Sequence, residues 1–259
     1  MINKLEIIPV DLLVEYKAKV SSLRLSEKFQ LLTDAEISTN TFSFYTSVAS
    51  VFSSKIEGEN IELDSYIKHK KFGFEFKPDY TKKIDDLYDA YSFAKVNSLN
   101  KKNLCTAHKL LTKNILTTNQ QREIRTKNMY VITPDGKIEY VAATLYEVKA
   151  EMEKFYSDLK LLLTEDLSIE KTFFFAAMIH LVFVKIHPFN DGNGRIARLL
   201  EKWFLAQKLG DKAWFINSEQ NYYQNHQTYY NNLRLLGLEY EELDYKKAVP
   251  FLLMLPNSI

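Results

Sequence analysis

The sequence predicts a mainly α-helical fold, a bundle of helices carrying one β-hairpin, and three observations lead there. Apolar residues recur at helical spacing along most of the chain, as Phe44, Val48, Val51 and Phe52 do between Thr41 and Ile56. The apolar run from Phe173 to Ile186 reads as a central buried helix. One pair of β-favouring runs, Met129-Tyr130-Val131-Ile132 and Ile138 to Val141, flanks a Pro134-Asp135-Gly136 turn and reads as a lone hairpin over 129–141.

In chain order, the patterning predicts helices near 11–31, 41–57, 82–98, 102–116, 145–163, 168–186, 194–209, 219–236 and 240–255. A hydrophobic content of 46% and an aromatic content of 14% suffice for a sizeable core. The expected organisation is one large core over residues 41–259 with an N-terminal helical extension over 1–40. Gly58 is the expected stop of the 41–57 helix, which puts Glu57 at its negative end. A carboxylate there is disfavoured by about 0.3–1 kcal/mol unless a cation meets it. A hairpin on its own is marginally stable and leaves an open edge. His108 and His180 fall inside helical patterns and read as structural.

Charge excludes some partners. The 34 basic and 33 acidic residues give a formal charge of +1, so nothing points to nucleic acid. The segment 172–186 is too short, and too interrupted by His180 and Lys185, to span a membrane. A single cysteine, Cys105, suits a reducing compartment, and Met1 to Val20 shows no signal-peptide hydrophobic region, so the expected location is cytoplasmic.

The chemistry concentrates in twelve residues, His187-Pro188-Phe189-Asn190-Asp191-Gly192-Asn193-Gly194-Arg195-Ile196-Ala197-Arg198. Two of the chain's seven glycines stand here, where the backbone can approach a ligand closely. The amphipathic run that follows, Arg195 to Leu209, offers unpaired N–H groups and a positive dipole end to an anion. Arg195 and Arg198 share a helical face, and guanidinium forks match phosphate oxygens. Asp191 is the kind of hard oxygen ligand that Mg²⁺ takes alongside phosphates and water, and His187 can accept a proton from an incoming nucleophile. Taken singly, the histidine, the turn residues and the arginines each have an ordinary structural reading; their combination in one segment points to a nucleotide site.

This run resembles the active-site signature of the Fic family, H-P-F-x-[DE]-G-N-[GK]-R-x-x-R, at every specified position. The resemblance implies a Fic-type helical bundle with one β-hairpin flap beside the active site, and transfer of AMP from ATP to a Ser, Thr or Tyr hydroxyl of a target protein. His187 would deprotonate that hydroxyl, Asp191 would hold Mg²⁺, and Gly192, Asn193, Gly194 and Arg195 would cradle phosphates, with Arg198 on the terminal one. Glycine rather than lysine at 194 points to the AMP-transferring branch. Ser53 to Gly58 resembles the family's inhibitory motif, [ST]-x-x-x-E-[GN], which makes Ser53, Glu57 and Gly58 part of an inhibitory helix over about 41–58. Glu57 would then pair with Arg198 in place of the ATP γ-phosphate and hold the enzyme off. Met129, Tyr130, Val131 and Ile132 would form the flap that docks the target by strand addition. Tyr229 and Tyr230 resemble a tyrosine pair that lies near the adenine, though two tyrosines on a helix also serve as packing.

Two departures stand out: Gln121-Arg122-Glu123-Ile124-Arg125 lacks the glycine of the Gly-x-x-Arg segment common upstream of the flap, and Val141 to Leu145 replaces a proline-rich stretch. The reading is therefore a self-inhibited protein adenylyltransferase using ATP and Mg²⁺, with a protein target along the flap and itself as a further acceptor. Its alternatives are an AMP-removing phosphodiesterase in which Glu57 positions water, and a quiet nucleotide-binding regulator. Nothing in the sequence defines an oligomeric interface.

Overall fold

The computed structural model describes residues 4–76, 78–132 and 138–259. At its centre lies the predicted apolar helix, here α8 (Ile169–Ile186), which is buried continuously from Thr172 to Ile186. Ser168 caps it by accepting from the Lys171 N–H, a contact worth about 1 kcal/mol. Its companion α9 (Asn193–Leu209) follows after the signature turn and packs along it, burying Ile196, Leu199, Leu200 and Trp203.

Around this pair the chain wraps in order: α1 (Leu13–Val20), α2 (Leu25–Leu31), α3 (Phe44–Ile56), α4 (Leu63–Phe72), α5 (Pro78–Val96), α6 (Lys101–Leu111), the hairpin β1 (Tyr130–Ile132) and β2 (Ile138–Val141), and α7 (Val148–Thr164). After α9 come α10 (Ser218–Gln224), α11 (His226–Arg234) and the short α12 (Val249–Leu252). The fold is mainly helical with a two-stranded antiparallel hairpin, as the sequence predicts.

Several elements differ in detail. The 11–31 helix is broken at Arg24, which takes φ +52° after a tight turn at Ser21–Leu23. The 219–236 helix is interrupted at Asn225, and 240–255 is mostly 3₁₀ turns, with Pro250 opening the one short α-helical turn. Helix α4 is unpredicted; Tyr66 is its one buried residue, too little apolar periodicity to register. The extension packs into the main core rather than beside it: Ile8, Tyr16, Val20 and Phe29 belong to the cluster that contains α8, and Tyr16 meets Phe174 with ring centroids 5.3 Å apart. Both oxygens of buried Asp158 on α7 accept from the N–H groups of Glu6, Ile7 and Ile8. Among the described residues no helix is long and apolar enough to cross a membrane.

Candidate active site

Helix α8 ends at His187, which adopts φ +53° and ψ +59° in the position where glycine is usual, and Pro188 cannot continue the helix. Such a backbone for a non-glycine residue costs about 1–3 kcal/mol and persists only where the surroundings fix it. Here they do. Arg125, fully enclosed, donates from Nε to His187 O at 2.7 Å, from Nη1 to Lys127 O at 2.7 Å, and from Nη2 to Ala143 O and to Ile186 O. One guanidinium thus caps the carbonyl end of α8 and ties it to both stems of the hairpin.

The His187 ring is oriented by its Nδ1, which lies 3.2 Å from the Tyr140 hydroxyl and 3.3 Å from Val184 O. Because the Tyr140 O–H donates to Val184 O at 2.8 Å, both oxygens facing Nδ1 act as acceptors. Nδ1 therefore carries the hydrogen and Nε2 keeps its lone pair, as a base requires. Burial, with a smaller push from Arg125, lowers the His187 pKa to about 4, so the imidazole is neutral at pH 7. Lys185, buried two residues earlier, sets its ammonium 4.1 Å over the Tyr140 ring, and burial lowers its pKa to about 7.

The turn after His187 is closed by Asn193, whose Oδ1 accepts from the Phe189 N–H at 2.9 Å while its Nδ2 donates to Phe189 O at 2.8 Å. Both side-chain atoms are thus engaged on the loop, which leaves the second Nδ2 hydrogen and the Asn193 backbone N–H as donors for an anion. Gly192 opens α9 with φ +79°, and a Cβ there would meet Leu111 Cδ1 and Thr112 Cγ2 at 2.9 Å. The Gly192 N–H turns back to Asp191 Oδ1 at 2.5 Å, and the N–H groups of the first turn of α9, from Asn193 on, are the ones a helix start leaves without intrahelical partners. Arg195 is buried, yet its Nε and Nη1 have no hydrogen-bond partner among the described residues, and the Asp191 carboxylate stands 3.9 Å away. A buried guanidinium left open in this way suits an oxyanion.

Glu57 reaches the same place from the end of α3. Its Oε1 lies 2.6 Å from Arg198 Nη2, while Arg198 donates from Nε to Ser53 Oγ at 2.8 Å and from Nη2 to Ser53 O at 3.1 Å. A Cβ at position 194 would collide with Glu57 Oε1 and crowd Arg198 Nη1, so glycine is what lets the carboxylate sit over the start of α9. Burial opposes ionisation of Glu57, but Arg198 and then Arg195 outweigh it and hold its carboxyl below the usual range. Gly58, with φ +91°, ends the helix.

The remaining predicted residues divide. Tyr229 is buried, and its hydroxyl meets His180 Nε2 at 3.0 Å, while His180 Nδ1 meets Glu201 Oε2 at 2.8 Å; it also lies against Arg198. Tyr230 is partly exposed and packs on His226, ring centroids 4.8 Å apart. Tyr130 and Ile132 are exposed on the hairpin, and Val131 pairs with Tyr140, so it shares the face that meets His187. Met129 precedes the strand but continues the pairing, its carbonyl accepting from the Ala142 N–H at 3.1 Å. The Val141 N–H donates to Leu238 O at 2.8 Å, and the sheet has two strands among the described residues, so the outer side of β1 is unpaired. The predicted Pro134-Asp135-Gly136 turn lies outside the described residues.

Two residues escape the sequence reading. Arg125 was visible only as part of an imperfect Gly-x-x-Arg segment; Arg122, standing where the glycine is missing, takes the left-handed conformation itself at φ +61°. His108 contacts the signature turn directly: Nδ1 accepts from the Arg122 N–H and Nε2 meets Asp191 O, each at 2.9 Å.

Residues 98–205, which hold His108, Arg125, the hairpin and the whole signature, match the family model for the Fic/DOC family. Residues 98–205 carry a Fic domain. The Fic fold extends beyond that segment. A Fic family protein from Desulfovibrio desulfuricans G20 superposes with a TM-score of 0.75 over 96% of this chain and 72% of its own, at 16% identity. A Fic domain containing signaling protein from Bacteroides thetaiotaomicron VPI-5482 gives 0.65 over 95% and 91%, at 17% identity. A segment of Fic-1 from C. elegans gives 0.66 over 95% and 69%, at 18% identity. No curated protein matches the chain.

Asp191 also fits the divalent cation that the family implies. Its side chain is 53% exposed beside the open Arg195, and no group of three or more metal-ligating side chains stands among the described residues. A single carboxylate completed by phosphate oxygens and water is how Mg²⁺ is commonly held with a nucleotide.

Proposed function

We propose that this Fic domain is a protein adenylyltransferase whose resting state is closed by Glu57. The observation that carries the reading is the Glu57–Arg198 pair seated above Gly194, with Arg195 left open and a neutral His187 close by. Nucleotide phosphates would lie on the N–H groups of Asn193 and Gly194, on that of Gly192 once it releases Asp191 Oδ1, and on Arg195, with Arg198 for the terminal phosphate. Glu57 holds Arg198, so ATP enters with its γ-phosphate displaced and its α-phosphorus turned from the line of attack. When Glu57 leaves, His187 Nε2 takes the proton of a target hydroxyl as its oxygen bonds to the α-phosphorus, and the bond to the β-phosphate oxygen breaks to release pyrophosphate. Mg²⁺ on Asp191 would neutralise the phosphate charge.

The target would lie along the unpaired side of β1 as an added strand, which positions a Ser, Thr or Tyr hydroxyl through backbone contacts. A reducing, cytoplasmic setting accords with a single, partly buried Cys105. Incubating Glu57→Gly protein with ATP labelled at either the α- or the γ-phosphate tests the reaction class. Label retained on protein from the α-position alone is expected; label from the γ-position alone would replace AMP transfer with phosphate transfer.

A further inference from the structure

The Asp191 carboxylate has little to hold it: an N–H from its neighbour Gly192 at 2.5 Å and the Arg195 guanidinium at 3.9 Å. Its direction is therefore set by its own backbone, and that backbone is held from α6. The His108 ring is fully buried and fixed on three sides. Nδ1 accepts from the Arg122 N–H, which requires Nε2 to carry the hydrogen and donate it to Asp191 O. The ring face stacks on Phe189 at a centroid distance of 3.7 Å and 18°. Beyond it the loop lies flush on the end of α6, where Gly192 leaves no room for a Cβ between itself and Leu111 and Thr112. Arg122 holds a left-handed backbone that a non-glycine residue adopts only under constraint, and the His108 acceptor supplies one.

We infer that His108 is a positioning residue for the metal-holding end of the signature loop: its donor bond to the Asp191 carbonyl sets the direction in which the Asp191 carboxylate meets the cation. It rests on the nucleotide-and-metal reading of Asp191 given above, and it assigns the role to a helix outside the signature. A ring serving as packing alone would need the Phe189 stack and neither hydrogen bond.

Three variants in a Glu57→Gly background separate these roles. His108→Phe keeps a ring against Phe189 and loses both bonds; His108→Gln places an amide nitrogen near the Nε2 position; His108→Asn places an oxygen near the Nδ1 position. Calorimetric binding of a non-hydrolysable ATP analogue is titrated with Mg²⁺ and repeated in EDTA, alongside the rate of self-modification. His108→Phe is expected to raise the half-saturating Mg²⁺ at least tenfold while leaving metal-free analogue affinity within twofold of the parent. His108→Gln should recover to within threefold of the parent, and His108→Asn should not. An unchanged Mg²⁺ requirement in His108→Phe, equal behaviour of the Gln and Asn variants, or an equal loss of metal-free binding in all three would overturn the inference. If Glu57→Gly transfers no AMP yet shows the His108-dependent Mg²⁺ requirement, the transfer reading falls and the positioning role stands.

Discussion

Helix α9 carries two ion pairs one turn apart, and they differ in what surrounds the carboxylate. Arg198 meets Glu57, whose side chain is 26% exposed at the end of α3; Lys202 meets Glu219 at 2.5 Å with both side chains at 2% exposure or less. Glu219 is further held by the Tyr91 O–H at 2.6 Å, where buried side chains of α5, α9 and α10 meet. Glu57 has one cationic partner at hydrogen-bond distance and a glycine beneath it, at the first non-helical residue of α3. The interior pair braces the bundle. The outer pair is releasable, because the Glu57 side chain can turn toward solvent while the buried face of α3 stays in place.

Breaking the interior pair should have the larger effect on stability. Lys202→Met leaves the Glu219 charge buried beside a hydroxyl, and the expected cost is about 3–5 kcal/mol in denaturant unfolding with no gain in transfer. A loss under about 1 kcal/mol would make the two pairs energetically alike.

Breaking the outer pair should act on activity instead. Glu57→Gly is expected to raise self-modification at least tenfold, at a stability cost no greater than about 1 kcal/mol, as for a partly exposed pair. Arg198→Ala removes the brake and the phosphate contact together, so transfer should stay well below that of Glu57→Gly at saturating ATP. Equal rates for the two variants would show that Arg198 serves the brake alone.

Ser53 sits between these cases. Ser53→Ala removes the hydroxyl that accepts from Arg198 Nε, with an expected cost of about 0.5–1.5 kcal/mol. A modest rise in basal transfer should accompany it as Arg198 loosens.

The pH profile gives the smallest and most local readout. His187 is lowered to about 4, so it stays an unprotonated base down to that range. The acid limb of kcat/KM in Glu57→Gly should lie near pH 4, against about 6.5 for an ordinary histidine. Stability follows the same sign. Since His187 and His108 both titrate below their unfolded value, the unfolded chain takes up protons first, and stability is lost as pH falls from about 6.5 toward 4. A thermal melting temperature that is flat across that window would contradict the buried, neutral state of both rings.

The same contrast explains what could be read from the sequence. Ser53 and Glu57 were legible because their six-residue segment resembles a short local motif, and Arg198 because its signature is local. Tyr229 was legible as a position only; its hydroxyl turns out to serve a buried chain through His180 to Glu201. Arg125 and His108 were not legible, since their partners are main-chain groups distant in sequence: His187 O, Ala143 O, Asp191 O and the Arg122 N–H. Main-chain partners leave no pattern of residue types. Asn193 shows the converse, a signature residue whose amide closes the loop on Phe189 instead of facing outward. Helix α4, rich in charge and with Tyr66 alone buried, lacked the stripe that marked its neighbours.

In the proposed function Glu57 restrains a transfer that His187 performs. Intact-protein mass spectrometry of wild type, Glu57→Gly and Glu57→Gly/His187→Ala after incubation with Mg²⁺ and ATP tests this without knowledge of the target. An AMP-sized mass gain that is strong in the single variant, faint in wild type and absent in the double variant is the predicted result. Equal gain in wild type and Glu57→Gly, or no gain in any of the three with nucleotide binding confirmed, would contradict it.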